Sequence, residues 1–266
     1  MGGERTLRIW RGDASGGQFV SYRTPVEEGM VVLDAILRIQ AEQANDLAVR
    51  WNCKAGKCGS CSMEIEGRPR LACMTRLNLY PPEAAITVQP LKAFPVIKDL
   101  VTDVSWNYEQ NRRIPPFQPG ARDPDGQYRM AQCDVDRVQE FRKCIECFLC
   151  QDVCHILRDR ERKDAFVGPR FMVRLASLEM HPLDVADRLP LIKEAFGVGL
   201  CNITRCCTEV CPEHIQITDN AIIPLKERVV DRYYDPIQRL LGWLRGRRGG
   251  TARKLPMSQG PASAPA

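Results

Sequence analysis

Residues 53–73 read CKAGKCGSCSMEIEGRPRLAC and hold four of the chain's cysteines. These cysteines are Cys53, Cys58, Cys61 and Cys73. Three of them share one short segment that also contains Gly56 and Gly59, and glycine permits backbone conformations that a side chain would block. The spacing therefore predicts a tight loop whose thiols converge on one point, with the fourth thiol arriving from the segment after the turn sequence EGRP.

The spacing of this first group is typical of a plant-type 2Fe–2S cluster. Backbone N–H groups of such a loop can point at the cluster and stabilise its negative charge. A zinc site is the alternative, because Cys58 and Cys61 form one Cys-x2-Cys pair. Structural zinc sites typically combine two such pairs that lie far apart in sequence, so a 2Fe–2S cluster is the favoured prediction.

A second group occupies residues 144–154, which read CIECFLCQDVC. This is the bacterial ferredoxin run, in which three cysteines hold one 4Fe–4S cluster and the fourth binds a different cluster. A cysteine from elsewhere must then complete the first cluster, and Cys211 precedes Pro212 as the completing cysteine does in that pattern. The predicted 4Fe–4S ligands are Cys144, Cys147, Cys150 and Cys211.

A third group lies in residues 201–212, which read CNITRCCTEVCP. Cys154, Cys201 and Cys207 remain to hold a third cluster, and three ligands suit a 3Fe–4S core. In a helix, Cys206 would point about 100° away from Cys207, so we predict that it is not a ligand. Cys133 is also left over from the cluster assignments.

The composition agrees with metal ligation rather than with disulfides. The chain has 266 residues and 13 cysteines, an odd number, and it opens with charged residues rather than with a signal peptide. The apolar content of 44% is sufficient for real cores. Since no stretch approaches eighteen uncharged apolar residues, we expect that the chain does not cross a membrane.

The positive charge is concentrated at the C-terminus. Residues 237–266 carry six Arg or Lys and no acid, so the remaining 236 residues have a net charge of −1. A basic fold for nucleic acid is therefore not predicted. The segment is interpreted either as a solvated, flexible tail or, because Trp243 lies among the arginines, as a contact with anionic lipid.

Hydrophobic patterns divide the chain into two regions, one of strands with a single helix and one of helices, so the predicted fold class is α+β. Alternation predicts strands in 5–10, 18–23, 47–51, 62–66, 70–74 and 86–90, and a helix in 30–43 with Val32, Ile36 and Ile39 on one face. Proline-rich residues 114–126 mark a connector, and helical periodicity follows in 135–154, 168–180 and 218–234. The predicted regions are 1–105, 106–236 and the tail.

The ordered motifs resemble the iron–sulfur subunits of succinate dehydrogenase and fumarate reductase. The segments that carry the resemblance, besides the run from Cys144, are RWNCKAGKCGSCSMEIEGRPRLACMTR (50–76), FPVIKDLVTDVSWNYEQ (94–110), GPRFMVRLASLEM (168–180) and CCTEVCP (206–212). The match covers roughly residues 5–230, and three cysteine groups in this order are highly specific. The resemblance implies an N-terminal ferredoxin-like β-grasp domain and a C-terminal all-α dicluster domain.

The resemblance also implies the partners. A flavoprotein subunit with bound FAD would oxidise succinate, and electrons would pass through the 2Fe–2S, 4Fe–4S and 3Fe–4S clusters to quinone at membrane-anchor subunits. The chain would then lie on the cytoplasmic face of a bacterial plasma membrane. The same clusters could instead serve fumarate reduction. A soluble electron carrier, or the iron–sulfur subunit of another flavoenzyme, is the alternative that this region order favours less.

Two positions depart from the family pattern. Many members have a proline after the fourth cysteine of the middle run and then an aromatic stretch with a quinone-contacting tryptophan, where this chain reads CHILRDRERKD (154–164). The histidine that often follows the first cysteine of the last group is Asn202 here. His155 and Asn202 are therefore the predicted quinone-facing residues, although a histidine beside a cluster is more often structural.

Overall fold

A mixed β-sheet forms the N-terminal region of the computed structural model, which describes residues 3–236. The strands are β1 (Gly3–Asp13), β2 (Gly16–Val26), β3 (Ser62–Ile65), β4 (Arg68–Leu71), β5 (Ile86–Gln89), β6 (Val96–Lys98) and β7 (Val101–Thr102). Their order is β4-β3-β5-β1-β6-β7, and β2 pairs with β1. The β1–β5 pair is parallel, whereas β1–β2 and β3–β4 are antiparallel. This arrangement places β3, which follows the first cysteine loop, next to β5, and places β4 at the edge of the sheet.

The first hairpin confirms the predicted strands in 5–10 and 18–23. Both strands extend further than predicted, because pairing continues from Gly3 with Val26 to Asp13 with Gly16. Leu7 in β1 is fully buried, as the alternating pattern requires for its inward face.

Helix α1 (Val32–Glu42) confirms the predicted helix of residues 30–43. Val32, Ile36 and Ile39 are all fully buried, as expected for the apolar face of an amphipathic helix. At its start the carboxylate of Asp34 accepts a hydrogen bond from the backbone N–H of Val31 at 3.1 Å.

Two predicted strands of this region are wrong or shorter than expected. Residues 47–51 form no strand. Their backbone groups pair elsewhere, since Ala48 N donates to Asp99 Oδ2 at 2.8 Å and Leu100 N donates to Ala48 O at 3.2 Å. The strand predicted in 70–74 ends at Leu71, because the chain then turns so that Ala72 N bonds Cys61 O, which brings Cys73 to the cysteine loop.

Between residues 105 and 236 the regular elements are helical, as predicted. The α-helices are α2 (Ser105–Arg112), α3 (Gln132–Gln139), α4 (Leu149–Asp152), α5 (His155–Arg158), α6 (Pro169–Glu179), α7 (Leu189–Glu194), α8 (Cys206–Glu209) and α9 (Ile223–Tyr233), with short 3₁₀ helices at Leu77–Leu79, Glu140–Lys143 and Val198–Leu200. A π-helical segment, Ile217–Ile222, leads into α9. The predicted helices of 168–180 and 218–234 are confirmed.

The helical periodicity of residues 135–154 corresponds to two helical segments separated by a loop, not to one helix. The α3 helix and its 3₁₀ extension stop at Lys143, and α4 begins only at Leu149. Between them Glu146 (φ 55°) and Phe148 (φ 60°) are left-handed, a conformation that a right-handed helix cannot contain. The loop between the two helical segments therefore interrupts the helical periodicity, and within it Cys147 and Phe148 are buried.

One hydrophobic core joins the sheet to the second cysteine group. It contains Leu7 and Ile36 as well as Cys147, Phe148 and Leu149. The chain forms one compact unit through Glu227 and a second unit from Arg228, in which α9 continues to Tyr233. The predicted boundary at 105/106 stays a prediction.

Residues 1–2 and 237–266 lie outside the described part of the chain, and with them the predicted basic tail. Within residues 3–236, no helix is long and apolar enough to span a bilayer.

Candidate metal centres

The first cysteine loop is shaped by left-handed backbone. Lys54 (φ 57°), Gly56 (φ 69°) and Gly59 (φ 69°) turn the chain repeatedly between the cysteines. A Cβ atom on Gly56 would lie 2.8 Å from Met74 Sδ, so the chain is also tightly packed there. The two glycines that the sequence analysis singled out adopt this left-handed conformation without the steric cost that a side chain adds.

Backbone N–H groups of this loop point at cysteine sulfurs. Cys53 Sγ accepts hydrogen bonds from the N–H groups of Ala55 and Lys57, each at 3.3 Å. Cys73 Sγ accepts one from Gly56 N at 3.3 Å. Such donors stabilise negative charge on a thiolate, as cluster ligation requires.

The electrostatics of the first group show that its other thiols are also close together. Burial raises the pKa of Cys61 to about 12, and neighbouring Cys73 and Cys58 add to the shift. At Cys58 burial acts in the same direction, but hydrogen bonds from Ser60 and Cys53 outweigh it and lower the pKa to about 6. The structure therefore brings all four predicted 2Fe–2S ligands to one site.

The four predicted 4Fe–4S ligands line a single cavity. They are Cys144, Cys147, Cys150 and Cys211. Apolar side chains, including Ile145, Phe148 and Val173, make up much of the remaining wall. Four thiols in an apolar cavity are a donor set that fits an iron–sulfur cluster.

Burial dominates the electrostatics of this cavity. It raises the pKa of Cys147 to about 12 and the pKa of Cys150 well above its ordinary value, and the neighbouring cysteines add to both shifts. The pKa of Cys211 is raised by burial and, among other groups, by Cys144. Thiolates in this position need a compensating positive charge, which iron supplies on binding.

The predicted ligands of the third cluster, called the third group from here on, are Cys154, Cys201 and Cys207. Burial raises the pKa of Cys154 to about 12 and that of Cys207 to about 11. Cys207 contributes to the shift of Cys154, and Cys201 contributes to that of Cys207, so the three predicted ligands lie near one another. Thr218 Oγ1 lies 3.5 Å from Cys207 Sγ.

The chain segments 144–154 and 201–211 have the same backbone arrangement. Cysteines occur at 144, 147, 150 and 154 in one segment and at 201, 207 and 211 in the other, with Thr204 at the equivalent of 147. Left-handed residues occupy equivalent positions, 146 and 148 in the first and 203 and 205 in the second, and the helices α4 and α8 begin directly afterwards. The sequence analysis missed this correspondence, although the equal spacing could have revealed it.

The two remaining cysteines differ in their surroundings. Cys133 is exposed on α3. Cys206 is partly buried, and its Sγ lies 3.3 Å from Thr204 Oγ1. Its thiol also raises the pKa values of Cys154 and Cys207. It therefore borders the third group, and its exclusion from the ligands stays a prediction.

The predicted quinone-facing residues lie beside the third group in sequence. His155 begins α5 directly after Cys154, and its Nε2 atom is buried with no hydrogen-bond partner among the described residues. Asn202 is exposed.

A buried charged network connects the sheet with the helices α4 and α5. Glu64 on β3 is fully buried, and its Oε1 lies 2.9 Å from Arg158 Nη1 on α5. Asp152 is also fully buried, and its Oδ1 accepts a hydrogen bond from Ala93 N at 2.9 Å. Burial and the adjacent Glu64 raise the pKa of Asp152. Sequence reasoning missed these residues, because a charged residue in a strand or helix gives no sign that it is buried.

Within residues 3–236, no group of three or more His, Cys, Asp or Glu side chains is arranged to hold a single metal ion. Two family models nevertheless match the chain, and both describe clusters of several iron atoms. The first, described as a 2Fe–2S iron–sulfur cluster binding domain, matches residues 6–109. The second, described as a 4Fe–4S dicluster domain, matches residues 140–215. The two matches contain all eleven cysteines that the sequence analysis assigned to clusters.

Two similar proteins are iron–sulfur subunits by name. The fumarate reductase iron-sulfur subunit of Mycobacterium tuberculosis is 32% identical over 202 residues, which cover 74% of this chain and 80% of that protein. The succinate dehydrogenase iron-sulfur subunit of Paracoccus denitrificans is 28% identical, with coverage of 86% and 89%. The alignments thus span most of each protein.

A solved structure extends this similarity to the fold. A chain of the Mycobacterium smegmatis Sdh1 complex in the apo form is 62% identical and superposes with a TM-score of 0.85, covering 88% of this chain and 98% of that one. With these similarities added to the gathered cysteines, the chain belongs to the family of iron–sulfur subunits of succinate dehydrogenases and fumarate reductases.

Proposed function

We propose that this chain is the electron-transfer subunit of a succinate:quinone oxidoreductase, in which a flavoprotein partner with bound FAD carries out the succinate chemistry. When bound, iron–sulfur clusters supply one-electron transfer between that flavin and quinone. The observation that carries the proposal is the separation of eleven cysteines into three groups in the order expected for three clusters. Names that include succinate dehydrogenase among the relatives support the same role.

The 2Fe–2S and 4Fe–4S domains are present, and our ligand assignment refines them. Cys53, Cys58, Cys61 and Cys73 would hold the 2Fe–2S cluster, and the four sulfurs of the apolar cavity would hold the 4Fe–4S cluster. Cys154, Cys201 and Cys207 would hold the third. Because Thr204 occupies the position equivalent to Cys147 and offers no thiol, a 3Fe–4S core suits this group.

We also propose that the N-terminal region is a ferredoxin-like β-grasp domain of residues 1–105. The order of hairpin, α1 and second hairpin, with β5 parallel to β1, supports this description. Residues 106–236 would then be the dicluster domain.

The partners beyond the flavoprotein are membrane-anchor subunits and quinone. We place the chain on the cytoplasmic face of a bacterial plasma membrane, held there by those anchors. His155 would face quinone, since its Nε2 is buried without a partner among the described residues and could bond a quinone oxygen. Asn202 is exposed and adjacent to the first cysteine of the third group.

Fumarate reduction is the second candidate. The M. tuberculosis relative carries the name of a fumarate reductase subunit, and the same chain of clusters can conduct in either direction. The direction would be set by the quinone and the anchor rather than by this chain.

Purification of the untagged complex from its host tests the proposal. We expect a flavoprotein to co-purify. Succinate should produce the electron paramagnetic resonance signal of a reduced 2Fe–2S cluster and remove the signal of an oxidised 3Fe–4S cluster. A preparation without a flavoprotein, or clusters that succinate does not reduce, would refute it. Comparison of succinate oxidation with fumarate reduction in that complex separates the two candidates.

A further inference from the structure

We propose that Gly59 is a positioning residue that fixes the separation between the first cysteine loop and the second cysteine group, and with it the rate of electron transfer between their clusters. The inference rests on the proposed function, because it assumes the 2Fe–2S and 4Fe–4S ligands assigned above. It adds a role for a residue that is not itself a ligand.

Gly59 lies in direct backbone contact with Cys147. A Cβ atom built on Gly59 would lie 2.7 Å from Cys147 Cα, 2.9 Å from its Cβ and 3.0 Å from its N. Contacts of a Cβ atom with non-bonded atoms are essentially never shorter than 3.0 Å. The backbone of Cys147 also cannot rotate away from such a contact as a flexible side chain can. Gly59 also directly follows one predicted ligand, Cys58, so the contact joins the two cluster-binding segments themselves.

Other glycines of the region lack this contact. Gly56 has the same φ of 69°, but a Cβ there would meet the side chain of Met74, which is 58% exposed and flexible. Gly67, in the turn between β3 and β4, has a φ of 70° and nothing within 4 Å of the added atom. The three glycines therefore share their backbone conformation and differ in what a methyl group would strike.

The surroundings hold the contact on both sides. On the first side, Ser62 Oγ donates a hydrogen bond to Gly59 O at 2.8 Å. On the second, Cys147 and Phe148 are buried in the core that also contains the sheet, and Phe148 packs on Phe94 with ring centroids 6.3 Å apart. Since both partners are packed, an added methyl group would be accommodated chiefly by moving the two segments apart.

Such a movement has a measurable consequence. The rate of electron transfer decreases exponentially with the gap between two centres, and the magnetic dipolar interaction between two reduced clusters decreases with the cube of their separation. Moving the added Cβ atom from 2.7 Å to ordinary contact, which begins at 3.4 Å, needs a shift of at least 0.7 Å. Such a shift would weaken both quantities while leaving the ligands of each cluster in place.

The test uses the complete complex with Gly59→Ala, and with Gly67→Ala as the control for a methyl group at positive φ. Electron paramagnetic resonance gives the signal of each cluster and the interaction between the reduced 2Fe–2S and 4Fe–4S clusters. Rapid freezing after mixing with reductant gives the delay between their reductions.

We expect all variants to keep both clusters, with a several-fold slower second reduction and a weaker magnetic interaction in Gly59→Ala only. An interaction and rate equal to those of Gly67→Ala would overturn the proposal. Gly59→Asn covers the case in which Gly59→Ala is unstable, because asparagine tolerates positive φ but still carries the Cβ. If Gly59→Asn also lost the 2Fe–2S cluster while Gly67→Asn kept it, Gly59 would serve loop assembly rather than spacing, and the proposal would be wrong. Absence of the clusters from the unmodified complex would instead refute the proposed function.

Discussion

The Oγ1 atom of Thr204 lies 3.3 Å from the Sγ atom of Cys206, at the exposed side of the third cysteine group. The position three residues after the first cysteine thus bears a hydroxyl in this group, whereas Cys147 fills it in the second group. Because the backbone turns are equivalent, the side chain at this position determines whether a fourth thiolate is present. This relationship underlies the first two predictions.

Cys206→Ala should leave all three clusters in place. Three other cysteines already serve the third group, and the sulfur of Cys206 is satisfied by the Thr204 hydroxyl. Iron content and the 3Fe–4S signal in electron paramagnetic resonance check the result, with Cys133→Ala as the control for the loss of an exposed cysteine. Loss of the third cluster in Cys206→Ala alone, or four irons in that cluster of the unmodified protein, would contradict the ligand assignment.

Thr204→Cys should convert the third cluster from three irons to four. The new thiolate would stand where Cys147 stands in the second group and could bind the missing iron. The measurement is the iron content together with loss of the signal of the oxidised three-iron cluster. Thr204→Ser supplies the matched control, since it keeps a hydroxyl, and a three-iron signal that persists in Thr204→Cys would show that the two backbone segments are not equivalent.

Cys53→Ser should perturb the 2Fe–2S cluster and spare the other two. The sulfur of Cys53 accepts two backbone hydrogen bonds within its own loop, and its partners for ligation all belong to the first group. Electron paramagnetic resonance distinguishes the three signals in one sample. The spacing argument would fail if this variant lost the 3Fe–4S signal and kept the 2Fe–2S one.

Arg158→Met should destabilise the protein. The change removes the positively charged partner of the fully buried Glu64 carboxylate. Among the described residues, Lys92 at 3.5 Å then remains as its ion-pair partner. Breaking a buried ion pair typically costs about 3–5 kcal/mol of the free energy of unfolding. The apparent thermal unfolding temperature measures the effect, with Arg160→Met, a change at an exposed neighbour, as the control. Equal unfolding temperatures of the two variants would mean that the pair contributes little.

The sequence predicted the elements whose pattern reflects a single local cause. The hairpin of β1 and β2 and the helix α1 follow from alternation and helical periodicity, and the cysteine groups follow from ligand spacing. The strand predicted in 47–51 is wrong because the backbone of Ala48 bonds to Asp99 and Leu100 rather than to a strand of the sheet. Leu47 is buried in the core, whereas Trp51 is exposed. The helical prediction for 135–154 holds for its two ends but not for the loop 144–148, where the left-handed residues Glu146 and Phe148 interrupt the helix.

Contacts between distant segments could not be predicted in this way. The approach of Gly59 to Cys147 and the pairing of Glu64 with Arg158 depend on how the two halves of the molecule pack. A single sequence contains no local signal for either of them. The equivalence of Thr204 and Cys147 differs, since it was present in the spacing and needed only a comparison of the two segments.

His155→Ala should lower quinone-dependent turnover by about a hundredfold, the loss typical of removing one donor to a developing negative charge. Quinone oxygens gain negative charge on reduction and need a proton or hydrogen-bond donor nearby. The Nε2 atom of His155 is buried, has no partner among the described residues and lies on the residue directly after Cys154. The measurement is succinate oxidation with quinone, compared in the same preparation with oxidation by a dye that takes electrons before quinone.

The dye-linked rate should remain near that of the unmodified complex, because the flavoprotein and the cysteines are untouched. His155→Gln, which retains an amide donor, should recover part of the quinone rate, and Asn202→Ala tests the exposed neighbour separately. An unchanged quinone rate in His155→Ala would place the quinone site within the anchor subunits. The role of this chain would then end at its third cluster.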